Sequence, residues 1–110
     1  MINVRIYDPS PNLFGIISNR WLDEISIEMY NRGLELDISL PFEGELIVGA
    51  IFTFNTRKHS SISDLSQIVL CQLSIARIFE NDNQVTKLNI DCHYDDLAKQ
   101  SNILIRVLRR

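Results

Sequence analysis

The stretch Phe79-Glu80-Asn81-Asp82-Asn83-Gln84-Val85 sets one aspartate among side-chain amides, just ahead of an apolar alternation. A divalent ion such as Mg²⁺ is held by oxygen ligands, usually including one or two carboxylates, together with its own waters. Beside a phosphodiester, such an ion polarises the phosphate and generates the attacking hydroxide. Asp82 and Asp64 are the candidate catalytic carboxylates for that chemistry, and Asp82, Asp64 and Glu80 the candidate metal ligands. Arg57-Lys58-His59 is a basic run, and Arg57 and Lys58 are the candidate phosphate contacts of a nucleic-acid site.

Each of these residues also has a plainer role. Asn81-Asp82-Asn83 is ordinary turn composition. Ser61-Ile62-Ser63-Asp64 has the Ser-x-x-acid spacing of a helix capping box, and an acidic residue is favoured in a first helical turn by the dipole alone. Glu80 suits a solvated helix end, and residues 57–59 a solvated loop. Asp95-Asp96 is a second acidic pair, read as a solvated turn because no ligand-type spacing surrounds it. Trp21 and Tyr30 could stack on bases, but their helical spacing assigns them to or near a core stripe.

Other chemistries find no framework. Cys71 and Cys92 form no Cys-x-x-Cys pair, and both lie in apolar patterns, so they read as buried free thiols. His93 follows Cys92 directly, and in a strand the two side chains point to opposite faces. The four glycines are scattered and build no phosphate-binding loop.

The elements that must position these residues follow from periodicity. Ile2, Val4 and Ile6 alternate with polar neighbours in a first strand, which the turn Asp8-Pro9-Ser10-Pro11-Asn12 stops. A helix over about 20–32, capped by Ser18 or Asn19, places Trp21, Ile25 and Met29 on one stripe. Asp23 and Glu24 suit its first turn, and Gly33 its C-terminal cap. Residues 45–54 are apolar on both faces and predict a central, well-buried strand that must be covered on both, where a second subunit could supply one cover. A second helix over about 63–78 buries Leu65, Val69, Leu73 and Ala76. Val85, Leu88, Ile90 and Cys92 mark a third strand, residues 93–102 a polar connection, and Ile103, Ile105 and Val107 a fourth strand. Arg106, Arg109 and Arg110 could add to a basic patch, and otherwise read as charged strand-end residues of a soluble edge. The expectation is an α+β fold of order β-α-β-α-β-β: a small mixed four-stranded sheet with two helices on one face.

Composition bounds the function. With 110 residues, 45% of them hydrophobic, the chain suits one domain over 1–110 with a single core. No apolar run reaches bilayer length and the N-terminus has no signal-peptide pattern, so a soluble, cytoplasmic protein is expected. The formal net charge of −3 argues against strong sequence-independent nucleic-acid binding, which draws on Lys and Arg.

The segment Ser60–Val85, SSISDLSQIVLCQLSIARIFENDNQV, resembles the core motif of the RusA-type Holliday junction resolvases. In that family a basic loop leads into a helix opening Asp-Leu-Asp-Asn-Leu-x-Lys, and Asp-Asp-x-Gln-Val starts the next strand. With Leu65 on the motif's second leucine, the match runs without a gap, and Asp82, Gln84 and Val85 fall on their counterparts. The departures are Ser61 and Ser63 for the two helix-opening aspartates, Asp64 for asparagine, Gln67 for lysine and Asn81 for the first aspartate of the pair. Element order is similar over nearly the whole chain, but only residues 60–85 match as a motif.

The resemblance implies a homodimer and, in the family, Mg²⁺-dependent cleavage of four-way DNA junctions. Here two serines replace two carboxylates and a glutamine replaces a cation. The expected protein is therefore a catalytically degenerate relative of phage or mobile-element type. It would bind a protein partner or branched DNA with no cofactor. The alternative is an active Mg²⁺-dependent junction endonuclease using Asp82, Asp64 and Glu80, with Arg57 or Lys58 in place of the lost lysine.

Overall fold

A computed structural model describes residues 1–9, 17–36, 39–57 and 60–110. The turn residues Ser10, Pro11 and Asn12, and the candidate contacts Lys58 and His59, lie outside the described residues. The element order is β1 (Ile2–Tyr7), α1 (Asn19–Glu35), β2 (Leu46–Phe54), α2 (Ile62–Ile75), a short 3₁₀ turn (Asp82–Gln84), β3 (Val85–Tyr94) and β4 (Asn102–Arg109). The sheet order is β1-β4-β2-β3. β4 runs antiparallel to both β1 and β2, while β3 runs parallel to β2. This is the expected mixed four-stranded α+β sheet in β-α-β-α-β-β order, since a parallel pair needs a crossover and α2 supplies it.

Alternation decides which face is covered. Ile2, Val4 and Ile6 of β1, Leu46, Val48, Ala50, Phe52 and Phe54 of β2, and Ile103, Ile105 and Val107 of β4 are all buried. Both helices pack over that face, through Trp21, Ile25 and Met29 of α1 and Leu65, Val69 and Leu73 of α2. Trp21 meets Phe52 and Phe54 edge-on at 6.2 and 6.1 Å. Side chains of this kind contribute about 1.5–3 kcal/mol each when fully buried.

Within the chain only one face of β2 is covered: Ile47, Gly49 and Thr53 are half-buried and Ile51 is exposed. Other expectations are corrected. β4 is an interior strand, so Arg106 projects from the middle of the open face and not from an edge. α1 starts at Asn19 with Ser18 as its cap, which moves Asp23 and Glu24 beyond the first turn. Gly33 is not the helix terminus. It is buried inside α1, where an added Cβ would collide with the Leu40 side chain. Tyr30 turns outward and is exposed.

α2 stops at Ile75, earlier than expected. Ala76 caps it, Arg77 adopts φ 61°, and the Ile78 and Arg77 amides donate back to the Leu73 and Ser74 carbonyls. That is a Schellman closure, usually built on glycine. Cys71 falls on the outward face of α2 and is exposed, and Cys92 is half-buried, so neither is a fully buried thiol. Burial nonetheless pushes the Cys92 thiol up from its ordinary value. β3 runs on to Tyr94, into what the composition marked as connection. Among the described residues, no helix is long and apolar enough to cross a membrane.

Candidate functional site

The turn carrying Asp82 is built by its amides. Asn81 Oδ1 accepts from the Asn83 amide at 2.9 Å. Gln84 Oε1 accepts from the amides of Glu80 and Asn81 at 3.0 and 3.2 Å, which completes a capping box around the 3₁₀ turn. Gln84 Nε2 donates in the other direction, to the carbonyls of Phe42 and Gly44 at 2.7 and 3.0 Å. The turn is thereby fastened to the loop that feeds β2. A parallel bridge between Phe42 and Phe79 ties the same two segments.

This fastening leaves Asp82 exposed at the turn, where its carboxylate makes no hydrogen bond or ion pair among the described residues. It lines a shallow cleft against the outward side of α2 with Gln67, Cys71, Glu80 and Asn81. Three positions that carry charge in the RusA-type motif, those of its lysine and its aspartate pair, are therefore neighbours in space. Gln67 and Asn81 are neutral there, and only Asp82 keeps the acid.

Asp64 does not line this cleft. It lies in the first turn of α2, exposed, and its amide donates to Ser61 Oγ at 3.2 Å. Ser61, at the first aspartate position of the motif, is thus the N-cap of α2. Ser63 follows one residue inside the helix, also exposed. The capping-box spacing is realised only in that forward bond, and the complete box of this region is the Asn81–Gln84 pair.

Among the described residues, no three His, Cys, Asp or Glu side chains are grouped to hold a metal ion. Glu80 and Asp82 share the cleft, and Asp64 is not brought to them. Two carboxylates with neutral amides as neighbours do not match the donor set that the family's Mg²⁺ chemistry needs.

Arg57 is also held elsewhere. β2 and β3 run parallel, with Leu46 beside Val85 and Phe54 beside Tyr94. Asp82 precedes the first end of this pair and Arg57 follows the last. At roughly 3.3 Å per residue the ends lie about 26 Å apart. The Arg57 guanidinium stacks over the Tyr94 ring, 4.7 Å from its centroid. Arg57 and Asp82 therefore cannot grip the same phosphate, and Arg57 does not replace the lost lysine.

The cations that do share the Asp82 end were not singled out from the motif. Arg77 lines an adjoining cleft with Ser74 and Glu80. Arg110 donates to Thr86 Oγ1 at 2.9 Å and lies 4.0 Å from the Glu45 carboxylate. The only sequence signal for Arg77 is its place just past a helix that must reverse direction before Asp82. Asp95 and Asp96 are exposed, as expected of a turn, and Asp95 Oδ1 accepts from the Leu97 amide at 3.0 Å.

Compared with known proteins, the chain matches no family model and no curated protein, so the RusA-type likeness stands on residues 60–85 and on element order.

Proposed function

We propose that this chain is a catalytically degenerate RusA-like protein, acting in the cytoplasm as a homodimeric binding module for a protein partner or branched DNA. One observation carries the reading. Gln67, Asn81 and Asp82 line one cleft, and at two of these three positions an amide stands where the motif has a charge. A neutral glutamine cannot supply the positive charge that stabilises a phosphate in a displacement. One aspartate with a neighbouring glutamate is a weaker ligand set than the family's carboxylates. Of the two amides that stand in for charges, Asn81 serves the turn instead, forming its capping box with Gln84. A net charge of −3 tilts the partner toward protein over nucleic acid.

The alternative, an active divergent endonuclease, draws on Asp82 and Glu80 sharing the cleft and on Arg77 beside them. The deciding experiment is incubation of a labelled four-way DNA junction with the protein and Mg²⁺ or Mn²⁺, beside Asp82→Asn. The expected result is no cutting by either protein. Symmetric nicks that vanish in Asp82→Asn would overturn the proposal in favour of the alternative.

A further inference from the structure

The uncovered face of the sheet is patterned. Near its centre Ile47 and Ile51 on β2 lie beside Leu108 and Leu104 on β4, with the Gly49–Arg106 pair between them. These surround Gly49 and form a concavity on the sheet. Pairing extends Leu104–Ile51 and Arg106–Gly49 into rows across all four strands, and Leu108–Ile47 only to Lys87 on β3. One row reads Arg5, Leu104, Ile51, Asp91, and the next reads Asn3, Arg106, Gly49, Asn89. Cationic Arg5 thus stands on the β1 side, level with anionic Asp91 on the β3 side.

From this pattern we infer that the open face is a homodimer interface, in which a second copy packs face to face about a two-fold axis parallel to the strands, between β4 and β2. The inference gives the homodimer of the proposed function its surface. Such an axis exchanges left and right within a row. It sets Arg5 over the partner's Asp91, Leu104 over the partner's Ile51 and Arg106 over the partner's Gly49. Opposite charges meet, apolar groups meet, and the longest side chain meets the position without one. An axis perpendicular to the strands, passing between the two rows, would set Leu104 on Arg106 and leave Arg5 facing Asn3. Charge and size therefore select the first axis. Face-to-face sheets keep their strands within about 30° of each other, which preserves the central Leu104–Ile51 and Arg106–Gly49 pairs and leaves Arg5 and Asp91 to meet at the rim.

Gly49 supplies an independent observation. Glycine inside a strand weakens it, and often marks a close approach by another group. Among the described residues nothing demands that glycine: an added Cβ would meet only the Asn89 carbonyl oxygen, at 4.0 Å. A partner's Arg106 provides the missing reason. Arg5 is already held over the face by its bond to Asn102 Oδ1 at 2.7 Å, so less freedom is lost when it pairs.

Four strands about 4.8 Å apart and eight residues long offer about 500 Å² per copy, which sits at the lower limit for a specific interface. The dimer is therefore weak and concentration-dependent. Because the axis runs along the strands, it places both Asp82 turns at the same end of the dimer.

Sedimentation equilibrium of the full chain tests the inference, beside Gly49→Val, Arg5→Asp, Asp91→Arg and the double swap Arg5→Asp/Asp91→Arg. The expected result is a reversible dimer. Gly49→Val abolishes it while circular dichroism and the thermal midpoint of the monomer are retained. Each single charge reversal raises the dimer Kd about tenfold or more, and the double swap restores most of the loss. A dimer indifferent to all four variants would overturn this face and leave a homodimer standing. A chain that stays monomeric up to high concentration would overturn both. Neither result bears on whether the Asp82 cleft cuts DNA, which the junction assay reads separately.

Discussion

The Gln84 side chain donates to the Phe42 carbonyl at 2.7 Å while its own oxygen accepts from the amides of Glu80 and Asn81. One amide thus joins the end of the α2 crossover to the loop entering β2, segments about forty residues apart in sequence. At neutral pH an amide donates and accepts in this way where a carboxylate of the same shape only accepts, which explains a glutamine here on grounds of architecture.

Replacing Gln84 removes those bonds. Each partly exposed hydrogen bond contributes about 0.5–1.5 kcal/mol, so Gln84→Ala is expected to lose about 1–3 kcal/mol of stability. Gln84→Glu keeps the shape but sets a carboxylate against the Phe42 and Gly44 carbonyls. Its protonated form can donate again, so it should regain stability on acidification. Urea midpoints at pH 7 and pH 4 check both. Equal losses for Gln84→Glu at the two pH values would argue against the donor role.

Asp82 contributes almost nothing to the fold, since its carboxylate is exposed and unpartnered among the described residues. Asp82→Asn should leave the unfolding free energy within about 0.5 kcal/mol of the parent, typical of surface substitutions. Any change in binding or cutting by that variant then reports on the cleft. A large stability loss would show instead that the aspartate is structural.

Gly33→Ala sets about 1 kcal/mol of helix propensity against displacement of the outer methyl of half-buried Leu40, so a net change within about 1 kcal/mol is expected. A second substitution, Leu40→Ala, should relieve the clash, so the two effects should not add. Denaturant unfolding of both single variants and the double variant reads the coupling.

Arg77 lies in the left-handed region at φ 61°, where a side chain costs about 1–2 kcal/mol. Glycine relieves that strain and loses part of the gain to its greater unfolded-state freedom. Arg77→Gly is expected to raise stability by about 0.5–1 kcal/mol, read as an increase in thermal midpoint. An unchanged or lower midpoint would mean that the arginine side chain makes a compensating contribution.

The two thiols should label in order. Cys71 is exposed and should react first with iodoacetamide at pH 8, with half-buried Cys92 following more slowly because burial raises its pKa. Mass spectrometry of timed samples reads the order. The sign for stability follows from the same shift. The folded state holds the Cys92 proton more tightly than the unfolded chain, whose thiol titrates near 9.0. That contribution is whole at neutral pH and is lost as pH rises from the ordinary value through the raised one.

Local pattern alone determined most of the elements. Alternation in Ile2–Ile6 and Ile103–Val107, the stripes Trp21-Ile25-Met29 and Leu65-Val69-Leu73, and turn composition around Asp82 depend on neighbours within a few residues, so they were legible in order. Element ends were less so. α2 ends where Arg77 reverses the chain, and α1 continues through Gly33 because Leu40 packs there, a contact from outside the helix. The candidate site was legible only as a set of residue types. Whether Gln67, Asn81 and Asp82 meet, and whether Arg57 joins them, depends on the parallel pairing of β2 with β3, which puts Asp82 and Arg57 at opposite ends. Likewise the apolar run 45–54 revealed that both faces of β2 avoid water. Only strand order and helix placement decided that one face is filled from within the chain and the other left open. Periodicity is a property of adjacent residues, whereas site assembly and surface exposure are set by contacts between segments far apart in sequence.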